Sequence, residues 1–385
     1  MDFGFLKKGI KLFSVFGIRI TLNYSWFIIF ALIVYSLAEG YFRINLPQMS
    51  RSTSWIAAII TTILLFVSVL FHELCHSLLA KAHGIETKGI SLFIFGGLAL
   101  MSEEPVEAKT EFKIAIAGPL SSFFLAAVFL VYTVIFKILF ETSLTGIISY
   151  YLFLINVLLA IFNLIPGFPL DGGRILRAYL WHRTGDYNKA TISASKVGKV
   201  FATGLIILGL YSMFANHILN GFWFVFIGIF LRHAAVESLR LVNIYQSLKD
   251  ITVKELIASN TKNVDQEETI NNLATNYFLR FRLTSFPVVD GKNFKGMISL
   301  SDIKNIPRAK WNKLNVKDVI TYASNEDIIY TDKEVVEALK KMLYTGKGSL
   351  AVLNKRGEYL GVVTHRDIMT LFKIKTNLNY EQLNV

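Results

Sequence analysis

Five stretches of this 385-residue chain contain no Asp, Glu, Lys or Arg: 20–38, 52–71, 114–136, 142–170 and 200–231. Crossing the hydrocarbon core of a bilayer as a helix takes about 20 apolar residues, and each run is close to or beyond that length. The last is too long for one crossing. Asn216-His217 and Asn220-Gly221 interrupt it, so it reads as two helices joined by a tight turn. The expected fold is a polytopic α-helical membrane protein with about six transmembrane helices. Composition agrees: 53% of residues are hydrophobic and only 18% charged, which excludes a disordered chain and is unusual for a soluble enzyme. A single cysteine, Cys75, excludes a disulfide framework and a Cys-based zinc finger. The basic, amphipathic N-terminus does not read as a cleavable signal peptide and is expected to stay on the protein.

The positive residues set an expected orientation. Lys7, Lys8, Lys11 and Arg19 precede the first span, and Lys81, Lys88, Lys109 and Lys113 lie between the second and third. Arg174, Arg177, Arg183, Lys189, Lys196 and Lys199 follow the fourth, and Arg232 and Arg240 the sixth. The opposite loops hold only Arg43, Arg51, Lys137 and a few acids. Lys and Arg accumulate on the cytoplasmic side, so a multi-pass protein of the cell membrane with both termini cytoplasmic is expected. The net charge of +12 is then topology and contact with lipid headgroups, and no nucleic-acid partner is expected.

After about residue 250 charges become frequent and apolar runs shorten to strand length. The region repeats itself. Thr252-Val-Lys-Glu-Leu-Ile257 resembles Asn315-Val-Lys-Asp-Val-Ile320, and Gly296-Met-Ile-Ser-Leu-Ser-Asp-Ile303 resembles Gly361-Val-Val-Thr-His-Arg-Asp-Ile368, at an offset of 63 to 65 residues. Two copies of a strand-and-helix unit make one α/β domain of ordinary size. A continuous helix leaving the last span, over 233–248, is expected to lead into it.

His72-Glu73-Leu74-Cys75-His76 closes the second span. Residues four apart on a helix lie about 40° apart around the axis and about 6 Å along it. Both imidazoles can therefore reach one tetrahedral zinc, with Glu73 between them, close enough to hold a water as general base. The pattern occurs by chance on solvated helices. Here it follows some twenty uncharged residues, and a charge at mid-bilayer costs roughly 3 kcal/mol on insertion scales, so a metal site is the better reading.

Two histidines and a water leave one protein ligand to find. His83 returns to the same helix face but lies about 10 Å along the axis from His76, and beside Gly84 it reads as a helix end. Glu86, Glu103 and Glu104 fall in the following loop, and Glu141 on the wrong side. Asp171 closes Asn163-Leu-Ile-Pro-Gly-Phe-Pro-Leu-Asp-Gly-Gly173, where prolines and glycines break a helix inside an apolar run. Non-helical backbone at membrane depth is tolerated only when buried in protein or lining a water cavity. Asp171 is thus the candidate third ligand; the alternative is a helix-end acid paired with Arg174 or Arg177. Cys75 reads as a small packing residue.

These two motifs, in this order, resemble the site-2 protease family of intramembrane zinc metalloproteases. The likeness covers about residues 1–235 and includes Phe95-Gly96-Gly97 and Ala117-Gly118-Pro119. It implies one zinc per chain held by His72, His76 and Asp171, Glu73 as catalytic base, and Asn163 at the active site. The substrate would be a transmembrane protein in the lipid bilayer, unwound near the metal. Asn163 would bind its freed backbone, and Phe95–Leu98 would offer it an extended edge, unless Gly96-Gly97 is only a tight turn.

The repeated Gly-x-x-Ser/Thr-x-x-Asp resembles a pair of CBS domains over about 250–372. The likeness implies an adenine nucleotide held by Ser299, Asp302, Thr364 and Asp367. Alternatively the pair only forms a homodimer or packs on the membrane domain, with Asp302 and Asp367 as helix caps. The expected domains are the protease over 1–248, CBS copies over 249–310 and 311–375, and a tail over 376–385. The expected function is hydrolysis of peptide bonds within or near transmembrane segments, regulated by the CBS pair. A CBS-containing membrane transporter and a non-catalytic membrane scaffold are the rivals; neither requires His72, Glu73, His76 and Asp171 to act together.

Overall fold

The structure, a computed structural model, describes residues 9–101, 105–140, 143–257 and 262–380. The chain divides into two units, 1–242 and 243–385.

The first unit opens with a hairpin of β1 (Gly9–Val15) and β2 (Ile18–Asn23). Asn23 then caps α1 (Tyr24–Ser36), its Oδ1 accepting from Ser25 N at 3.0 Å. A π-helical turn, Leu37–Tyr41, and α2 (Phe42–Asn45) extend this helix. Residues 20–23, expected at the head of the first span, are therefore strand. Ile18, Ile20 and Leu22 alternate onto one buried face, the two-residue period of a strand. Next come α3 (Arg51–Ala82), the hairpin of β3 (Thr87–Phe93) and β4 (Gly96–Met101), α4 (Ala108–Phe140) and α5 (Leu144–Asn163). The unit continues with α6 (Asp171–Thr184) and α7 (Tyr187–Phe214), and α8 (Ile218–Leu248) runs on from it into the second unit.

Among the described residues, six helical segments are long and apolar enough to cross a membrane: Tyr24–Asn45, Arg51–Ala82, Ala108–Leu139, Leu144–Asn163, Tyr187–Phe214 and Asn220–Leu248. The last charge-free run splits near Asn216, as expected. Phe124, Ile138, Val200, Ile207 and Phe214 point outward and are exposed. Helices that are apolar on their outer faces too are those that meet lipid.

The four strands form one sheet in the order β1-β2-β3-β4, with β2 and β3 parallel and the two hairpins antiparallel. Its buried face sets Ile18, Ile20 and Ile90 against Leu70, Leu74 and Leu78 of α3. The sheet is thereby laid against the part of α3 that carries His72, Glu73 and His76, and among the described residues β1 and β4 are its two edges.

The second unit holds α9 (Val253–Leu256), β5 (Val264–Asp265), α10 (Ile270–Asn272), β6 (Ser285–Asp290), β7 (Asn293–Ser299) and α11 (Leu300–Ile303). The second copy adds β8 (Thr321–Tyr322), β9 (Ile328–Tyr330), α12 (Val335–Thr345), β10 (Ser349–Leu353), β11 (Tyr359–Thr364) and α13 (His365–Tyr380). The sheets run β5-β6-β7-β8 and β11-β10-β9. The copies exchange their openings. β8, from the second, pairs with β7 of the first. Ile251 and Val253, from the first, lie in one core with Val335, Leu339 and Val352 of the second.

Candidate metal centre

His72 and His76 face the same way from α3, and each is only 3% exposed. Their Nε2 atoms are 3.3 Å apart, and each lies 3.1 Å from Asp171 Oδ2. Donors about 2.0–2.1 Å from a zinc ion at tetrahedral angles stand about 3.3 Å from one another. The three atoms thus occupy three corners of a zinc tetrahedron. They are the one group of this kind among the described residues.

Both histidines are oriented from α4. The carbonyl oxygen of Ile114 lies 2.6 Å from His76 Nδ1. A carbonyl can only accept, so Nδ1 carries the proton and donates, which leaves the Nε2 lone pair facing the trio. His72 Nδ1 lies 2.9 Å from Ser122 Oγ, an equivalent outer partner. Gly118 stands between these two anchors. A Cβ there would fall 2.1 Å from His76 Nε2 and 2.5 Å from His72 Nε2, so only glycine keeps the space between the imidazoles open.

Asp171 is brought in by an irregular loop, 164–170, and begins α6, where the helix dipole favours a carboxylate. The loop is tight: the Phe168–Pro169 peptide is cis, and a Cβ on Gly172 would meet Ile165 O at 2.3 Å. The alternative pairing with Arg177 is not formed. Arg177 Nε instead donates to Glu111 Oε1 at 2.7 Å, and its guanidinium lies 4.8 Å from the Phe168 ring centre and 4.7 Å from that of Tyr187. Arg177 is 6% exposed and Glu111 0%. This buried pair fastens α6 to α4, the helix that also supplies Ile114, Gly118 and Ser122.

Glu73 is half-buried beside the trio. A Cβ on Gly97 would stand 2.3 Å from Glu73 Cγ, so β4 begins against the stem of this carboxylate. Gly96 and Gly97 are the first residues of that strand, paired with Phe93 and Leu92. Asn163 ends α5 and turns its amide back on its own helix, donating to Leu159 O at 3.0 Å. His83 caps α3, its Nδ1 2.8 Å from Leu79 O. Glu103, Glu104 and Glu141 lie outside the described residues.

In the second unit Ser299 and Asp302 meet at 2.7 Å (Oγ to Oδ2), and Thr364 and Asp367 at 2.6 Å (Oγ1 to Oδ2). Asp302 also accepts from Ser299 N at 2.7 Å and Asp367 from Thr364 N at 3.0 Å. In both copies the acid closes the first turn of the helix that follows.

Residues 60–149 and 141–208 match the profile of Peptidase family M50, and 253–308 and 316–373 that of the CBS domain. Zinc metalloprotease MJ0392 of Methanocaldococcus jannaschii is 32% identical over 377 residues, covering 97% of this chain and 99% of that protein. The chain belongs to peptidase family M50, the site-2 proteases. A Synechocystis sp. protein provisionally named zinc metalloprotease sll0528 is 33% identical over 95% of this chain and 96% of its own length. The solved structure of a site-2 protease from Methanocaldococcus jannaschii is 35% identical and covers 60% of this chain and 95% of that one, at a TM-score of 0.45. This M50 protein is thus a zinc metalloprotease and a multi-pass membrane protein, followed by tandem CBS domains.

Proposed function

We propose that this M50 enzyme hydrolyses peptide bonds within or near transmembrane segments of membrane proteins. The observation that carries the reading is the convergence of His72, His76 and Asp171. His72 lies about 32 Å along α3 from Arg51 at 1.5 Å per residue, and the hydrocarbon core is about 30 Å thick. That length supports a metal site toward one interface rather than at mid-bilayer.

His72, His76 and Asp171 would hold zinc, which would supply Lewis acidity to polarise the scissile carbonyl and bring the pKa of water toward neutrality. Glu73 takes the proton from the attacking water and delivers it to the leaving amine. The outer edge of β4 receives the unwound substrate as an added strand, with its first residues against Glu73. Asn163 holds freed backbone groups of the substrate once its amide leaves Leu159 O. Both termini lie in the cytoplasm of a cell whose plasma membrane holds the enzyme.

The protease domain is assigned to 1–248 and the CBS copies to 249–310 and 311–375. An adenine nucleotide bound through Ser299, Asp302, Thr364 and Asp367 regulates cleavage, and two chains associate through their CBS domains.

A detergent assay tests this with a single-span substrate, with and without ATP or AMP. Wild type should cut, and Glu73→Gln should retain zinc while losing roughly 10²–10⁴-fold in rate. Zinc-loaded wild type that cuts no single-span protein but degrades soluble peptides would overturn the substrate assignment. Rates unchanged by nucleotide would remove the regulatory role.

A further inference from the structure

Glu111 and Arg177 are the two buried Asp, Glu, Lys or Arg residues among those described in the first unit. Removing both charges from water is costly, and an apolar pair of similar volume would stabilise a fold as well or better. Stability alone therefore does not account for them. Nε and Nη2 of Arg177 both donate to Glu111 Oε1, the first at 2.7 Å. The same guanidinium lies 4.8 Å from the ring centre of Phe168, in the loop before Asp171, and 4.7 Å from that of Tyr187, the first residue of α7. One planar cation thus meets α4, α7 and the loop at once.

Each contact leads to the trio by a short route. Glu111, Gly118 and Ser122 are spaced by seven and four residues, so they share one face of α4, within about 40°. Fixing Glu111 fixes the rotation and height of the face that sets Gly118 between the imidazoles and Ser122 against His72. The Ile114 carbonyl that orients His76 is three residues along the same helix. Phe168 stands three residues before Asp171. Its N–H donates to Ala194 O of α7 at 3.3 Å, and its own carbonyl leaves no room for a Cβ on Gly198. Arg177 lies six residues past Asp171, about 120° around α6, so it acts on that carboxylate through the loop.

We propose that Arg177 is a positioning residue of the metal centre. It holds the histidine-orienting face of α4 and the Asp171 loop in one register, and so sets the affinity and geometry with which the trio takes zinc. The inference rests on reading His72, His76 and Asp171 as the zinc ligands. A planar, forked guanidinium can pair with a carboxylate and lie over rings at the same time; a lysine ammonium, a point charge on a flexible stem, does not hold all three.

The test uses the full-length protein in detergent. It reads zinc affinity by chelator competition and the visible absorption of the cobalt(II)-substituted protein, which reports ligand geometry without catalysis. Asp171→Ala gives the signal of a trio lacking one ligand; a wild type that matches it would overturn the zinc assignment and this inference with it. Removing one charged partner leaves the other buried and unpaired, so the main variant is apolar at both positions, Glu111→Leu with Arg177→Met. With its unfolding midpoint retained, it should bind zinc about 10–100-fold more weakly than wild type, the cost of losing an outer partner of a metal ligand. Its cobalt bands should shift or weaken. Phe168→Leu keeps the ion pair and should move both readouts the same way, which decides the matter if the double variant does not fold. Wild-type affinity and spectrum in the folded double variant, or in Phe168→Leu where the double variant does not fold, would overturn the positioning role and leave the zinc site standing. Arg177→Lys should match the double variant; wild-type values there would overturn the part given to the planar guanidinium.

Discussion

The metal centre and the paired hydroxyl–acid motifs of the second unit use similar polar side chains in opposite ways. His72 and Asp171 are 99 residues apart in sequence, His72 and Ser122 are 50 apart, and His76 and Ile114 are 38 apart. Ser299 and Asp302, like Thr364 and Asp367, are only three apart. A pair that closes within one turn explains itself as a helix cap. Buried polar groups gathered from three helices have no such local account, and desolvating them is costly unless something binds them together. Distance along the chain therefore separates polar groups that tertiary packing must gather from those that a helix cap explains by itself.

Gly118→Ala should break that contrast most severely. Its methyl would fill the space between the two Nε2 atoms, so zinc content by metal analysis and cleavage should both fall to background; full zinc occupancy would show that α4 can retreat. Ser122→Ala removes the outer partner of His72 alone and should weaken zinc binding about 10–100-fold in chelator competition. On the local side, Thr364→Ala removes one helix cap and should cost about 1 kcal/mol in denaturant unfolding of the second unit, with zinc content unchanged.

The smallest effect is a pH dependence. Burial raises the Asp327 pKa, but a hydrogen bond from Lys347 at 2.5 Å, with bonds from Ser324, outweighs it and leaves the group below its ordinary value. Its stabilisation is present above the unfolded pKa of about 3.9 and is lost as pH falls through the lower folded value. Lys347→Ala should shrink that acid-induced loss in unfolding midpoint; an unchanged profile would assign the dependence to other acids.

The spans were legible because a bilayer demands unbroken apolar length, and His72, Glu73 and His76 because four-residue spacing is a property of one helix. Asp171 was legible as a carboxylate in a broken apolar run. Ser122 was not, since a serine in a span is chemically unremarkable until a histidine is set against it, although it lies four residues after Gly118. The Ile114 carbonyl has no side-chain signature. β1 and β2 were missed because a basic, apolar stretch of strand period runs directly into a charge-free run, and the two read as one span entrance. The exchanged openings of the CBS copies depend on tertiary packing that repeat spacing does not encode.

With the substrate added to β4 as proposed, the closeness of Gly97 to Glu73 would give the enzyme a ruler. A strand added to β4 advances about 3.3 Å per residue, and its register is counted from the pairing that starts at Gly96. The bond presented to Glu73 would then be chosen by how many residues separate it from the first paired position, not by which side chains flank it. Lengthening the unwound stretch of a substrate by two residues would move the cut by two, keeping the same faces toward the sheet, whereas one residue would invert every side chain.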